Sequence, residues 1–236
     1  MPPYEASQMP LRFFLKFFKN HGLFKLKDRP QWYTVTNRSK TYVNKILNKI
    51  SGEVFKNYRV NKIVRSESNV RVSINNEYID YDHVVLASHA DQSLKMIDEP
   101  TKEEKEILTK FSYVSNNAYL HFDKNLMPQR KSAWSSWNSI TKENKTCVTY
   151  WLNKLQNLKT EKNYFLTLNP VEKINEENII KKVNFTHPYF NSENVSLQKD
   201  LHSLQGKKRT WFCGSYFGYG FHEDGLKSSL KLLEKF

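Results

Sequence analysis

Thr210-Trp-Phe-Cys-Gly-Ser-Tyr-Phe-Gly-Tyr-Gly-Phe-His-Glu-Asp-Gly-Leu-Lys-Ser-Ser-Leu230 is the stretch on which the fold turns. The chain has seven glycines, and five of them (Gly206, Gly214, Gly218, Gly220, Gly225) fall in this stretch or just before it. Glycine concentrated in so poor a background marks backbone that turns sharply or lies against a ligand. The pattern predicts an apolar strand at Trp211–Cys213, a glycine-rich turn, and a helix from about Asp224 that buries Leu226, Leu230 and Leu233. A strand that feeds a helix N-terminus through glycines leaves amide N–H groups to meet an anionic or electron-rich ligand. Spacing alone leaves a tight surface turn equally open.

Upstream, Asp82-His-Val-Val-Leu-Ala-Ser88 is apolar without alternation, as in a parallel strand buried on both faces of an α/β sheet. Short strands are expected before it at Val54–Val64, Val70–Ile74 and Tyr78–Ile79, with turns at Ser66–Asn69 and Asn75-Asn76. Ser39 is placed to cap a helix running through Tyr42, Val43, Ile46, Leu47 and Ile50 and ending at Gly52. Asp28–Val35 reads as a loop leading into a short strand. After Pro100 the character changes. Thr101-Lys-Glu-Glu104 is a capping-box start to a helix through Ile107 and Leu108. Strands of a mixed sheet are expected at Asn116–Phe122, Thr146–Leu152 and Tyr164–Leu168. In the first, alternation sets Asn117, Tyr119 and His121 on one face, where they could line a substrate cavity or simply face solvent.

With 236 residues and 14% aromatics the chain can bury a core. Its net charge of +13 comes mostly from scattered lysines, without an arginine cluster or recognition-helix pattern, which speaks against nucleic acid as a partner. Cys147 and Cys213 lack metal-ligand spacing and form no disulfide framework, which fits a reducing cytoplasm. No apolar run approaches a membrane span, and the N-terminus, from Met1-Pro-Pro-Tyr4, lacks a signal peptide's layout. Pro10 to Gly22 predicts a helix with Phe13, Phe14, Phe17 and Phe18 on one face and Arg12, Lys16 and Lys19 on another. That phenylalanine face suits packing against protein outside this sequence, or a membrane interface at the periphery of the inner leaflet.

Taken together and in order, Asn20-His-Gly22, Arg29-Pro-Gln-Trp-Tyr-Thr-Val35, Arg38-Ser-Lys-Thr-Tyr-Val43, Ala87-Ser-His-Ala-Asp-Gln92 and Leu120-His-Phe-Asp123 resemble a known family. Leu126-Met-Pro128, Ala133-Trp-Ser-Ser-Trp-Asn138, Val148-Thr-Tyr-Trp-Leu-Asn153, His187-Pro188 and the glycine segment continue the match. The family is the NAD/FAD-binding oxidoreductases of the flavin amine oxidase superfamily, of the type associated with cyclopropane-fatty-acyl-phospholipid synthase. The resemblance implies an α/β fold in which an FAD/NAD(P)-binding, Rossmann-like domain is interrupted by an α+β substrate domain with a mixed sheet. On that basis residues 1–31 are a substrate-domain helix and loop, 32–95 a portion of the FAD domain, 96–205 the substrate domain, and 206–236 the C-terminal FAD-domain strand and helix.

The family's first strand and G-x-G-x-x-G turn, which hold the FAD pyrophosphate, have no counterpart here. The chain is therefore expected to be the C-terminal portion of a flavoenzyme, needing an N-terminal half that carries the G-x-G-x-x-G motif to hold FAD firmly. Residue by residue, the resemblance sets Val60 near the adenine and Ala87, Ser88 and His89 at the end of a strand that faces the cofactor. It sets Gly214 and Ser215 beside the pyrophosphate and ribityl chain, and Glu223, Asp224, Gly225 and Leu226 at the helix start beside the flavin ring. Asn117 stands where amine oxidases often carry a lysine, and an amide can hydrogen-bond but cannot shuttle protons. His222, His89 and His121 are the available acid–base groups, with His222 favoured by its place beside the helix start. The function implied is FAD-dependent hydride transfer on a lipid or fatty-acyl substrate. A non-enzymatic lipid- or membrane-associated module is the alternative reading.

Overall fold

The computed structural model describes residues 8–31 and 33–236. In chain order its elements are α1 (Leu11–Asn20), α2 (Ser39–Leu47), β1 (Val60–Arg65), β2 (Val70–Ile74), β3 (Glu77–Tyr81), β4 (Val84–Leu86), α3 (Ala90–Met96) and α4 (Lys102–Leu108). There follow β5 (Tyr113–His121), β6 (Trp137–Lys142), β7 (Lys145–Trp151), α5 (Leu152–Leu155), β8 (Phe165–Leu168), β9 (Ile179–Pro188), α6 (Ser192–Leu197), β10 (Thr210–Phe212) and α7 (His222–Leu233). They form two units: Pro10–Ser112 with Phe190–Phe236, and Tyr113–Tyr189.

In the first unit β1, β2 and β3 form an antiparallel meander, turned at Asn75 and Asn76, both at positive φ. The first strand begins at Val60 rather than Val54, because Asn57 at φ 63° breaks the extended run before it. Ser39 is the first helical residue of α2 rather than its cap, and Arg38 at φ 67° makes the turn into the helix. The short strand expected by Val35 is absent among the described residues, while Trp32 and Met1-Pro-Pro-Tyr4 lie outside them. The phenylalanines of α1 find partners within this unit. The Phe13 ring lies 4.5 Å from that of Tyr219 and 5.0 Å from that of Phe190, and Phe17 stacks on Phe221 at 5.3 Å.

β4 and β10 pair in parallel, in the register Val84 to Thr210 and Leu86 to Phe212. Val85 is nevertheless 46% exposed, so β4 is not buried on both faces. The helix after the glycine turn begins at His222, and the side it buries is not the one expected. Ser228 and Leu232 face inward, while Leu226, Leu230 and Leu233 are all more than half exposed. Ser228 causes the rotation: its Oγ accepts the Gly214 N–H at 2.9 Å and donates to the Gly225 carbonyl at 2.7 Å, pinning that side to the end of β10.

A buried ion pair ties the first unit together. Both side chains of Arg65 and Glu104 are almost wholly removed from solvent, and Arg65 Nη2 donates to Glu104 Oε2 at 2.9 Å. Arg65 leaves the end of β1, and it also reaches the Thr210 hydroxyl on β10 and the Glu99 carbonyl, each at 3.4 Å. Glu104 completes the expected capping box, accepting the Thr101 N–H at 2.7 Å while the Thr101 hydroxyl accepts the Glu104 N–H. Burial pushes the Glu104 carboxyl up, and the hydrogen bonds from Arg65 and Thr101 more than reverse this, leaving it below the ordinary carboxylate range.

The second unit is a five-stranded sheet in the order β6-β7-β8-β5-β9. Every neighbouring pair is antiparallel, so the mixed sheet expected from sequence is not found. A tight turn at Glu143-Asn144, both at positive φ, joins β6 to β7 and dictates opposite strand directions there. Two small cores cover this sheet: Leu126, Cys147 and Ile174 in one, and Met127, Trp134 and Phe165 in the other. Beside Phe165, His121 is fully buried instead of lining a cavity. Its Nε2 lies 2.8 Å from the Thr167 hydroxyl, which lies 2.8 Å from that of Thr149. Burial lowers the His121 pKa, with Asp123 opposing the shift.

Two outcomes follow from these buried groups. Replacing Glu104 by Gln strands the Arg65 charge and should cost about 3–5 kcal/mol in urea unfolding, whereas Arg65→Met with Glu104→Leu should recover most of the loss. His121 binds its proton more readily unfolded than folded, so its contribution to stability is present above about pH 6.5 and is lost as pH falls through its lower folded value. The melting temperature should drop between about pH 7 and 5, and less steeply in His121→Gln.

Candidate functional site

The two parallel strands of the first unit end side by side, and their carboxyl ends are where ligands gather in parallel sheets. The ladder extends one bond further, from the Cys213 N–H to the Leu86 carbonyl at 3.1 Å. Beyond it, Ala87, Ser88 and His89 lead into α3, and Gly214 and Ser215 lead through the glycine turn into α7. The Ser88 and Ser93 hydroxyls meet at 2.8 Å, fixing the first exit, and His89 caps α3 with its carbonyl on the Ser93 N–H.

The second exit has a glycine wherever a side chain would collide. A Cβ at Gly214 would sit 2.8 Å from the Tyr216 ring, with the Ser88 carbonyl at 3.8 Å. At Gly218 it would meet the Asp224 carboxylate at 2.3 Å. That carboxylate accepts the Phe221 N–H at 3.0 Å, closing the first turn of α7. Gln198 braces the loop from outside, donating to the Tyr216 and Gly218 carbonyls. Gly225 differs from these two: a Cβ there would touch only the Ser215 N–H group, at 3.8 Å. The helix therefore presents bare backbone beside Ser215, at the end that carries its partial positive charge.

Thus the structure brings together Ser88, Gly214, Ser215, Asp224 and Gly225 from the residues singled out in the sequence. Glu223 and Leu226 share the first turns of α7 with them. Next in line, His222 has its Nδ1 3.4 Å from the Tyr42 hydroxyl, a contact that ties α2 to the helix start. Val60 opens β1 in the separate meander, opposite Ile74. Asn117 and His121 belong to the other unit. Ser228 and Gln198, which hold the glycine turn in place, and Ser93, which fixes the Ser88 exit, escaped sequence reading. Each is a small or polar residue whose only signal is a partner distant in the chain.

Two parallel strand ends, one leaving through Gly214, together with a helix N-terminus left bare at Gly225, fit the flat, electron-rich edge of a flavin. Among the described residues no group of His, Cys, Asp and Glu is arranged to hold a metal ion, and no helix is long and apolar enough to cross a membrane.

Three solved structures share this fold. One is a fatty acid isomerase from P. acnes that produces CLA, at 14% identity over 84% of this chain and 52% of that one, with a TM-score of 0.58. Another, from Exiguobacterium sp. 255-15 and described as a protoporphyrinogen oxidase, has 10% identity over 95% of this chain and 57% of its own, with a TM-score of 0.67. A putrescine oxidase bound to putrescine has 10% identity over 84% and 52%, with a TM-score of 0.58. The chain thus spans a little over half the length of the structures it matches. No curated protein matches it significantly in sequence. The sequence profile of the flavin containing amine oxidoreductases matches residues 14–171, and the chain belongs to that family.

Proposed function

We propose that this chain is part of an FAD-dependent oxidoreductase that transfers hydride between a lipid or fatty-acyl substrate and the flavin. The observation that carries the reading is the bare backbone of Gly225 in the first turns of α7, which follows the glycine turn leaving one of two parallel strand ends. When bound, the flavin supplies the redox chemistry. The residues of the chain supply position: Ala87, Ser88 and Ser215 follow the two strand ends, while Glu223, Asp224 and Leu226 shape the helix end, and Val60 is assigned to the adenine. His222, oriented by Tyr42, is assigned the proton-handling role, with His89, after the other strand end, as the second candidate. His121 is assigned a structural role, because its ring is sealed from solvent. The fold shared with a fatty acid isomerase supports an acyl substrate.

A polypeptide segment carrying a strand, a G-x-G-x-x-G turn and a helix is proposed to complete the cofactor site. β4 and β10 each keep one edge without a strand partner among the described residues. On α7 the Leu226, Leu230 and Leu233 stripe lies opposite the side that Ser228 and Leu232 bury, so the helix is apolar on two sides and covered on one.

FAD added to the purified chain, alone and co-expressed with such a segment, tests the reading. The co-purified pair should be yellow, and a colourless pair overturns the assignment. Gly225→Ala should keep or raise stability by up to about 1 kcal/mol, since its methyl group meets only the Ser215 N–H group at 3.8 Å, yet weaken flavin retention. By contrast, Gly218→Ala should lower the melting temperature, because its methyl group displaces the Asp224 cap.

A further inference from the structure

We infer that the unit Tyr113–Tyr189 carries a binding site for a carboxylate joined to an apolar tail, with Asn117 as a fixed donor to the carboxylate. The site is argued from that unit alone, and it rests on the proposed function only in treating its ligand as the acyl substrate.

Asn117 on β5 lies directly opposite Asn184 on β9. Both amide hydrogens of Asn184 are engaged, one on the Ser115 hydroxyl at 2.7 Å and one on Asn117 Oδ1 at 2.9 Å. In this arrangement the Asn117 oxygen is the acceptor, and its NH2 group makes no hydrogen bond among the described residues. The backbone is held as firmly, with the Asn117 N–H on Asn169 Oδ1 at 2.9 Å and the Asn169 N–H on the Asn117 carbonyl at 2.9 Å. Asn169 is locked in turn by donating to Asn116 Oδ1 at 2.8 Å. With its backbone held at both N–H and C=O and its side-chain oxygen engaged, Asn117 loses less entropy than a free side chain when it donates to a ligand.

Asn117 lines a cavity of about 410 Å³, a size suited to a small-molecule site. Lys145 and Thr146, at the start of β7, also line it. Lys145 is in no ion pair among the described residues. Its neighbours are neutralised: Lys142 pairs with Glu172 at 3.1 Å and Lys182 with Glu176 at 2.9 Å. The unbalanced charge at the cavity is therefore positive, and its fixed polar group is a donor. Anionic oxygen satisfies both, by a charge-assisted hydrogen bond and an ion pair. An ammonium head would meet another ammonium group and an amide turned the wrong way.

The tail has a place as well. An adjoining cavity of about 330 Å³ shares Tyr119, Pro170 and Val171 with the first and continues to Ile174 and Ile179; Lys173 also lines it, as do Glu172 and Glu176, whose carboxylates are paired with Lys142 and Lys182. Its floor is the apolar core around Leu126, Cys147 and Ile174. A tail thus has Tyr119, Pro170, Val171, Ile174 and Ile179 to pack on, beyond an end that offers a donor and a positive charge.

Calorimetric titration of the full chain with octanoate, octanol and octylamine, kept below micelle-forming concentrations, tests the site. Octanoate should bind more tightly than octanol, and octylamine should not compete. Asn117→Asp should weaken octanoate by about tenfold or more, since it replaces the donor with a like charge. Lys145→Ala, at an exposed turn where folding is undisturbed, should weaken octanoate and leave octanol unchanged. Equal binding of octanoate and octylamine overturns the inference, as does octanoate affinity that neither substitution alters. The readout needs no flavin. Octanoate binding by a protein that never retains flavin keeps this site and removes the flavin reading, while flavin retention without octanoate binding does the reverse.

Discussion

The buried contact between Arg65 and Glu104 is the constraint on which the cofactor-side unit depends. It joins the end of the β1–β3 meander to the first turn of α4 and, through the Thr210 hydroxyl, to β10. β10 in turn sets the position of Gly214 and the start of α7. A meander with two exposed tyrosines on β3 and a two-stranded parallel sheet hold little apolar core of their own. A paired, hydrogen-bonded charge at their junction specifies one arrangement, because any other would leave an ion buried without its partner.

From that anchor the logic of the glycine segment becomes physical rather than statistical. Gly214 and Gly218 are needed by the fold itself, one against the Tyr216 ring and the other against the Asp224 cap. Gly225 is not needed by the fold, since a side chain there meets nothing closely. A glycine that costs helix stability without relieving a clash marks space kept for something else. This separates Gly225, where a side chain has room, from Gly214 and Gly218, where it has none, which no count of glycines can do.

Much of the chain was legible beforehand. The β2 strand, the Thr101–Glu104 capping box, and the strand–turn–helix at the C-terminus were all written in local pattern. Some misreadings were of element ends, at Val54 and Ser39, where a positive-φ residue broke the run; the others lay in which neighbour covers a face. Leu226, Leu230 and Leu233 have helical spacing, yet a serine hydroxyl turned the helix the other way. His121 and Asn117 share a strand parity, yet connecting segments bury one and leave the other beside a cavity. The mixed sheet was inferred from strand order without knowledge of how the strands return.

By itself the sequence determined the element types, the glycine turn, and membership of a flavin family through an ordered set of short motifs. Those features are encoded by local backbone preference and by residue order, which a linear reading can follow. Only the tertiary structure decided the partners: Arg65 with Glu104, Ser228 with Gly214, Tyr42 with His222, and Asn117 with Asn184. Each joins residues far apart in the chain or on separate strands. Hydrogen-bond direction, burial and charge balance exist only once those residues meet in space.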